Sequence, residues 1–132
     1  MINSFSKICC PRKRILVAED NKMHSELLRI IIQSSFDAEV VIAENGREAL
    51  DKIAEHGLFD LIIIDIMIPE VNGLDILKAF RKVYDKIPVL MLSALSDKDT
   101  IEKSFGLGAT GYISKPIIKD LLKEKIGYLL KN

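Results

Sequence analysis

The chain lacks a net charge: nineteen Lys and Arg residues balance nineteen Asp and Glu. Such a balance gives no long-range pull toward nucleic acid or an anionic membrane. The one basic cluster, Arg12-Lys13-Arg14, reads as solvated charge ahead of a strand. Cysteine is nearly absent. Cys9 and Cys10 are neighbours, where a disulfide is badly strained, and no third Cys or nearby His completes a metal site. They read as unreactive tail cysteines. No apolar run is long enough to span a bilayer, and "MINSFSKICC" lacks the apolar segment of a secretory signal, so the expected location is the cytoplasm. Composition breaks and internal repeats are missing too. What remains is a tail over residues 1–13 and a single domain over 14–132.

What is there suits a packed core: 132 residues, 48% apolar and 29% charged. Short apolar runs alternate with stretches of helical spacing. "RILVAED", "AEVVIA", "DLIIID", "PVLMLSA" and "GYIS" read as strands. "NKMHSELLRIIIQSS" carries Met23, Leu27, Leu28, Ile31 and Ile32 at helical intervals. "ENGREALDKIAEHG" opens at an Asn-Gly turn and stops at Gly57, and "GLDILKAFRKVY" follows the third strand. "SDKDTIEKSFGLG" is expected to be capped by Ser96 or Asp97, and "KPIIKDLLKEKIGYLLKN" to start with Pro116 just inside the helix. Five strand-helix repeats predict a three-layer α/β domain of doubly wound type, with a parallel sheet buried on both faces.

The most hydrophobic run, "DLIIIDIMIPEVNG", contains a lone acid, Asp65. An ionised carboxylate in apolar surroundings is costly unless paired or bound to a metal. Ligands of open α/β sheets sit outside the carboxyl ends of the strands. The first strand ends at Glu19-Asp20, the third at Asp65 and the fourth at Ser93; Lys115-Pro116 follows the fifth. If the first, third and fourth strands are neighbours, these groups meet in one pocket, and Asp65 terminates its strand. Three carboxylates and one ammonium leave an excess of about two negative charges, which a hard divalent cation offsets. The bland alternative is that these acids only cap helices and flank loops; four such groups at equivalent strand ends weaken it.

The pieces "ILVAEDN", "AENGREAL", "FDLIIIDIMIPEVNGLDIL", "PVLMLSA" and "GATGYISKP" together resemble, in order and spacing over residues 14 to 131, the response-regulator receiver domains of two-component signalling. The resemblance implies a flavodoxin-like sheet of order 2-1-3-4-5. It implies that Asp65 accepts a phosphoryl group from a histidine kinase or a histidine phosphotransfer protein. Glu19, Asp20, Asp65 and the backbone carbonyl of Met67 would hold Mg2+, with Mn2+ as the alternative ion. Lys115 would pair with the phosphoryl group, and Ser93 and Tyr112 would form the switch that reads it. A cis Lys115-Pro116 bond is a family feature. Glu19 and Ser93 stand where Asp and Thr are common, and both keep the required chemistry. Met67 and Leu95, where polar groups would position an attacking water, are apolar, so slow self-dephosphorylation is expected.

The signal would leave through the fourth-helix, fifth-strand and fifth-helix face, toward a downstream protein or a second receiver in a homodimer. On the last helix, Ile118, Leu122, Ile126 and Leu129 form a stripe read as facing the sheet. Ile117, Leu121 and Tyr128 form a second stripe, read either as a partner surface or as packing against the fourth helix. A kinase would dock near Met23, His24 and Leu27, with His24 itself read as a helix-flank residue. The starting Met and irregular tail favour a single-domain regulator over an excised receiver. No enzymatic activity is expected beyond self-phosphorylation and self-dephosphorylation. The competitors are a receiver-like module that is never phosphorylated, and a phosphatase of the haloacid-dehalogenase type, whose second acid would have to stand at Met67. A flavodoxin would need a phosphate-cradling loop where "AEDNKMH" offers acids.

Overall fold

Side chains alternate across a strand, so a strand that is apolar throughout must feed two cores. The computed structural model, which describes residues 12–95 and 97–131, shows this arrangement. Its strands are β1 (Lys13–Ala18), β2 (Ala38–Ala43), β3 (Leu61–Asp65), β4 (Val89–Ser93) and β5 (Gly111–Ser114). They form one parallel sheet in the order β2-β1-β3-β4-β5. Between and after them run α1 (Lys22–Ser35), α2 (Gly46–His56), α3 (Gly73–Arg81), α4 (Lys98–Gly106) and α5 (Lys119–Leu130). Ile15, Val17, Leu61, Ile63, Leu90 and Leu92 pack with α1 and α5; Leu16, Ala18, Ile62, Ile64, Val89 and Met91 pack with α2 and α3. The expected class and strand order are observed. No described helix is long and apolar enough to cross a membrane. Cys9, Cys10 and the Ser96 cap lie outside the described residues.

Each of the first four helices starts on a side chain that accepts an otherwise unpaired backbone N–H. Asn21 takes that of His24, Asn45 that of Glu48, Asn72 that of Leu74 and Asp97 that of Thr100. Helix α5 departs from expectation. It begins at Lys119 with no side-chain cap, and Pro116 precedes it. Ile118 is extended (φ −107°, ψ 119°), so Ile117 and Ile118 alternate as in a strand instead of sharing helical stripes. The two expected roles are therefore exchanged: Ile117 packs on the α1/α5 core, whereas Ile118 is 56% exposed. Leu122, Ile126 and Leu129 are buried as expected, and Leu121 and Tyr128 are exposed.

Two contacts fix the loop that follows β3. Gly46 at the start of α2 donates its N–H to Pro69 at 2.8 Å. A Cβ there would lie 2.1 Å from the Val71 carbonyl oxygen, and one on Gly73 would lie 2.4 Å from that of Asp65. Only glycine allows backbone to approach so closely. At the other end of α3, Arg81 donates to the carbonyls of Tyr84, Ile87 and Gly108 at 3.0, 2.6 and 2.8 Å. It also reaches the Thr110 hydroxyl, which accepts from Val89 N–H, so one guanidinium ties α3 to the starts of β4 and β5.

Truncating Arg81 leaves several partly buried acceptors without a donor. Arg81→Ala is expected to cost about 2 to 4 kcal/mol in urea unfolding, at roughly 1 to 3 kcal/mol for each stranded group that water does not reach. Arg81→Lys should recover only a minor part, because a single ammonium cannot span the same carbonyls. An Arg81→Ala midpoint equal to wild type would refute the tie.

Candidate functional site

The register of β1 with β3 pairs Ala18 with Ile64, so the next residues, Glu19 and Asp65, emerge side by side at the carboxyl edge. Both follow the alternation of Val17 and Ile63 and lie on the α1/α5 side of the sheet. Their side chains are 0% and 4% exposed. Lys115, just past β5, lies between them. Its ammonium donates to Glu19 Oε1 at 2.8 Å and Asp65 Oδ2 at 2.7 Å. Asp65 Oδ1 accepts the Met67 N–H at 3.0 Å, and Glu19 Oε2 accepts that of Asn21 at 3.2 Å. These bonds fix both carboxylates against rotation. The Lys115-Pro116 peptide is cis.

Asp20 completes the group at the exposed rim. Carboxylate oxygens of Glu19, Asp20 and Asp65 all lie within 4.8 Å of one another. Burial pushes the Glu19 carboxyl above its ordinary value, and the nearby Asp65 charge adds to this against the opposing bonds from Lys115 and Asn21. Burial would lower the Lys115 ammonium, but its bonds to Asp65 and Glu19 outweigh that and raise it. Three carboxylates against one ammonium, with only oxygen donors in the acidic group, fit a hard divalent cation.

Ser93 and Tyr112 follow the other phase of the alternation, on the side of α2, α3 and α4. Ser93 is fully buried, and Tyr112 packs beside the α2/α3 core. Both hold the same residue: Ser93 Oγ accepts the Leu95 N–H at 2.9 Å, and the Tyr112 hydroxyl donates to the Leu95 carbonyl. Burial raises the Tyr112 phenol, as do the Asp97 and Asp65 charges, with the Ser93 hydroxyl acting the other way. Met67 and Leu95 stand at the mouth of the site, 61% and 41% exposed. Of the proposed docking residues, Met23 and Leu27 are exposed on α1, and Ile30 extends that stripe.

His24, read from the sequence as a helix-flank residue, lies in the cluster. Its Nδ1 is 3.1 Å from Lys115 Nζ and 3.7 Å from Glu19 Oε1. The signal available in the sequence was its place in the first turn of the helix that leaves the acidic strand end. Two residues of the basic run make ion pairs at the surface: Arg12 meets Asp37 at 3.1 Å, and Arg14 meets Glu39 at 3.3 Å.

Comparison with known proteins agrees with this geometry. The model of the response regulator receiver domain matches residues 15–127. The chain is 38% identical over 107 residues to the polar-differentiation response regulator DivK of Brucella anthropi, covering 80% of this chain and 85% of that protein. It is 36% identical to a protein-glutamate methylesterase/protein-glutamine glutaminase of Trichodesmium erythraeum, covering 92% of this chain but 35% of the relative. It spans about half or less of several further curated relatives. The solved receiver domain of the Francisella response regulator 1452 superposes with a TM-score of 0.84 at 30% identity, covering 91% of this chain and 98% of that one. A parallel sheet of this order, with an acidic strand edge bridged by a lysine and a sequence matched along nearly its whole described length, belongs to the family of response regulator receiver domains, the phosphoacceptor modules of two-component signalling.

Proposed function

We propose that Asp65 is the residue that takes the phosphoryl group, from a histidine kinase or a histidine phosphotransfer protein, in a reaction that requires Mg2+. The observation that carries this reading is the Lys115 bridge. It holds one oxygen of Asp65 at 2.7 Å while the other accepts from Met67 N–H, so the carboxylate is oriented before any donor arrives. Asp65 attacks phosphorus, an O–P bond forms as the P–N bond of the donor phosphohistidine breaks, and the departing imidazole keeps the electron pair. Glu19, Asp20, Asp65 and the Met67 carbonyl would hold Mg2+, which supplies charge neutralisation at the transferred oxygens. Lys115 then turns from the carboxylates to a phosphoryl oxygen. Ser93 does the same with its hydroxyl, giving up Leu95 N–H. Tyr112, bonded to the other side of Leu95, responds to that release.

The proposed output surface is the face around α4, β5 and α5, with Leu121 and Tyr128 exposed on it. Its partner is a downstream protein or a second receiver, and the chain acts as a signalling module with no turnover of other substrates. A cytoplasmic location belongs to the same proposal.

Incubation with phosphoramidate and Mg2+ followed by intact mass tests the assignment. Wild type should gain one phosphoryl group that hydroxylamine removes, and Asp65→Asn should gain none. Modification that survives chelation of the metal, or that persists in Asp65→Asn, would sink it.

Lys115 offsets the charge of two buried acids, so its loss should be felt without any phosphodonor. Breaking a buried pair by removing one partner costs about 3 to 5 kcal/mol. Lys115→Met is expected to unfold at lower urea than wild type by that order in EDTA, and to gain more stability than wild type when Mg2+ is added. An equal Mg2+ response in both proteins would contradict this charge balance.

The apolar pair at the mouth sets the lifetime. With Met67 and Leu95 offering no hydrogen bond to an attacking water, the phosphorylated form should decay slowly in Mg2+. Met67→Asn should shorten its half-life several-fold, followed by loss of the added mass. Unchanged decay would place the control of hydrolysis elsewhere.

A further inference from the structure

An ammonium has three N–H donors and no acceptor. At Lys115 they meet three acceptors: Glu19 Oε1 at 2.8 Å, Asp65 Oδ2 at 2.7 Å and His24 Nδ1 at 3.1 Å. Lys115 can only donate, so this contact is a hydrogen bond when His24 Nδ1 accepts, which needs the imidazole proton on Nε2. The ring is delivered by the first turn of α1, which Asn21 caps through His24's own N–H at 3.1 Å. His24 thus stands on a pinned backbone, on the same side of the sheet as the two carboxylates.

The three acceptors differ in what a cation does to them. The carboxylates of Glu19 and Asp65 belong to the group that can hold a metal, whereas His24 lies outside that group. A cation held there would repel the ammonium and compete with it for the carboxylate oxygens. Lys115 then needs an acceptor that the metal does not claim, close enough that a phosphoryl oxygen on Asp65 stays within reach. Among the described residues, His24 offers one, 3.1 Å from Lys115 Nζ.

We propose that His24 is a positioning residue that holds the Lys115 ammonium beside the site when a divalent cation occupies the carboxylates, and so sets how readily the cation binds. The proposal rests on the assignment of Asp65, Glu19 and Asp20 to cation binding. Without His24, Lys115 stays on Glu19 and Asp65 and competes with the metal, and its reach to an incoming phosphoryl group is less well defined.

The test uses the full chain and two variants. His24→Leu removes the acceptor, and His24→Asn restores a side-chain carbonyl. Mg2+ is titrated with no phosphodonor, followed by amide chemical shifts. His24→Leu is expected to need about three- to tenfold more Mg2+ for half-saturation, and His24→Asn to return most of the way. In wild type, long-range nitrogen-proton correlations at pH 8 should show His24 as the Nε2–H tautomer. With phosphoramidate, the Mg2+ concentration for half-maximal phosphorylation should shift by a similar factor. A His24→Leu titration that overlays wild type would overturn the proposal, as would His24→Asn being as weak as His24→Leu, or an Nδ1–H tautomer. Wild type that binds Mg2+ but takes no phosphoryl group would instead defeat the assignment of Asp65, leaving the His24 titration interpretable on its own.

Discussion

Two carboxylates with almost no solvent contact, Glu19 and Asp65, share one ammonium, and much of the domain serves to keep them there. Such a pair is costly in a core unless both charges are hydrogen-bonded and countered. The pairing of Ala18 with Ile64 puts the acids side by side, and the packed residues beneath them fix that register. A slip of one residue in β3 would send Asp65 to the opposite face and bury Ile64 among charges. The hydrophobic run before Asp65 is thus what makes its position definite. All five residues from Leu61 to Asp65 are buried, and only Asp65 among them is polar, so a slip would carry the strand's one charge away from Lys115.

The same alternation divides the site into two halves. Glu19, Asp65, Lys115 and His24 lie on the α1/α5 side, where charge is bound and balanced. Ser93 and Tyr112 lie on the α2/α3/α4 side, where side chains meet apolar packing. The halves meet at the carboxyl edge, and Leu95 is held by both residues of the second half, through its N–H by Ser93 and through its carbonyl by Tyr112. In the proposed reaction, the hydroxyl that leaves Leu95 for the phosphoryl group loosens one of two bonds on a single residue. A change of charge on one face of the sheet would in this way become a change of packing on the other.

The architecture was legible because its signals are local. Apolar runs of strand length, the Asp97 cap and glycine stops each act within a few residues, and the structure places the strands and that cap close to where they suggest. The strand-end acids were legible for a similar reason: polar groups at equivalent positions of four strands stand out against apolar backgrounds. What escaped were contacts between distant segments. Nothing near His24 in the sequence announces Lys115, and nothing near Arg81 announces Gly108. The exchange of Ile117 and Ile118 had another cause: helical periodicity was extended over residues that precede the helix. The contacts of Gly46 and Gly73 with the β3–α3 loop were likewise invisible, since a close approach depends on the partner backbone.

The charge balance also explains why such a site would be conditional on a cation. A phosphoryl group arrives bearing negative charge, and the three carboxylates of Glu19, Asp20 and Asp65 already exceed the single ammonium. All three N–H donors of Lys115 have partners, so each new bond to phosphate is one withdrawn from Glu19, Asp65 or His24. A cation held by the acids would relieve this competition, offsetting their charge and leaving the ammonium to the phosphoryl group. A neutral third acceptor makes that hand-over gradual, since Lys115 need not lose every partner before gaining the next. An imidazole that accepts through Nδ1 brings one lone pair and no negative charge, which a fourth carboxylate at the same place could not do.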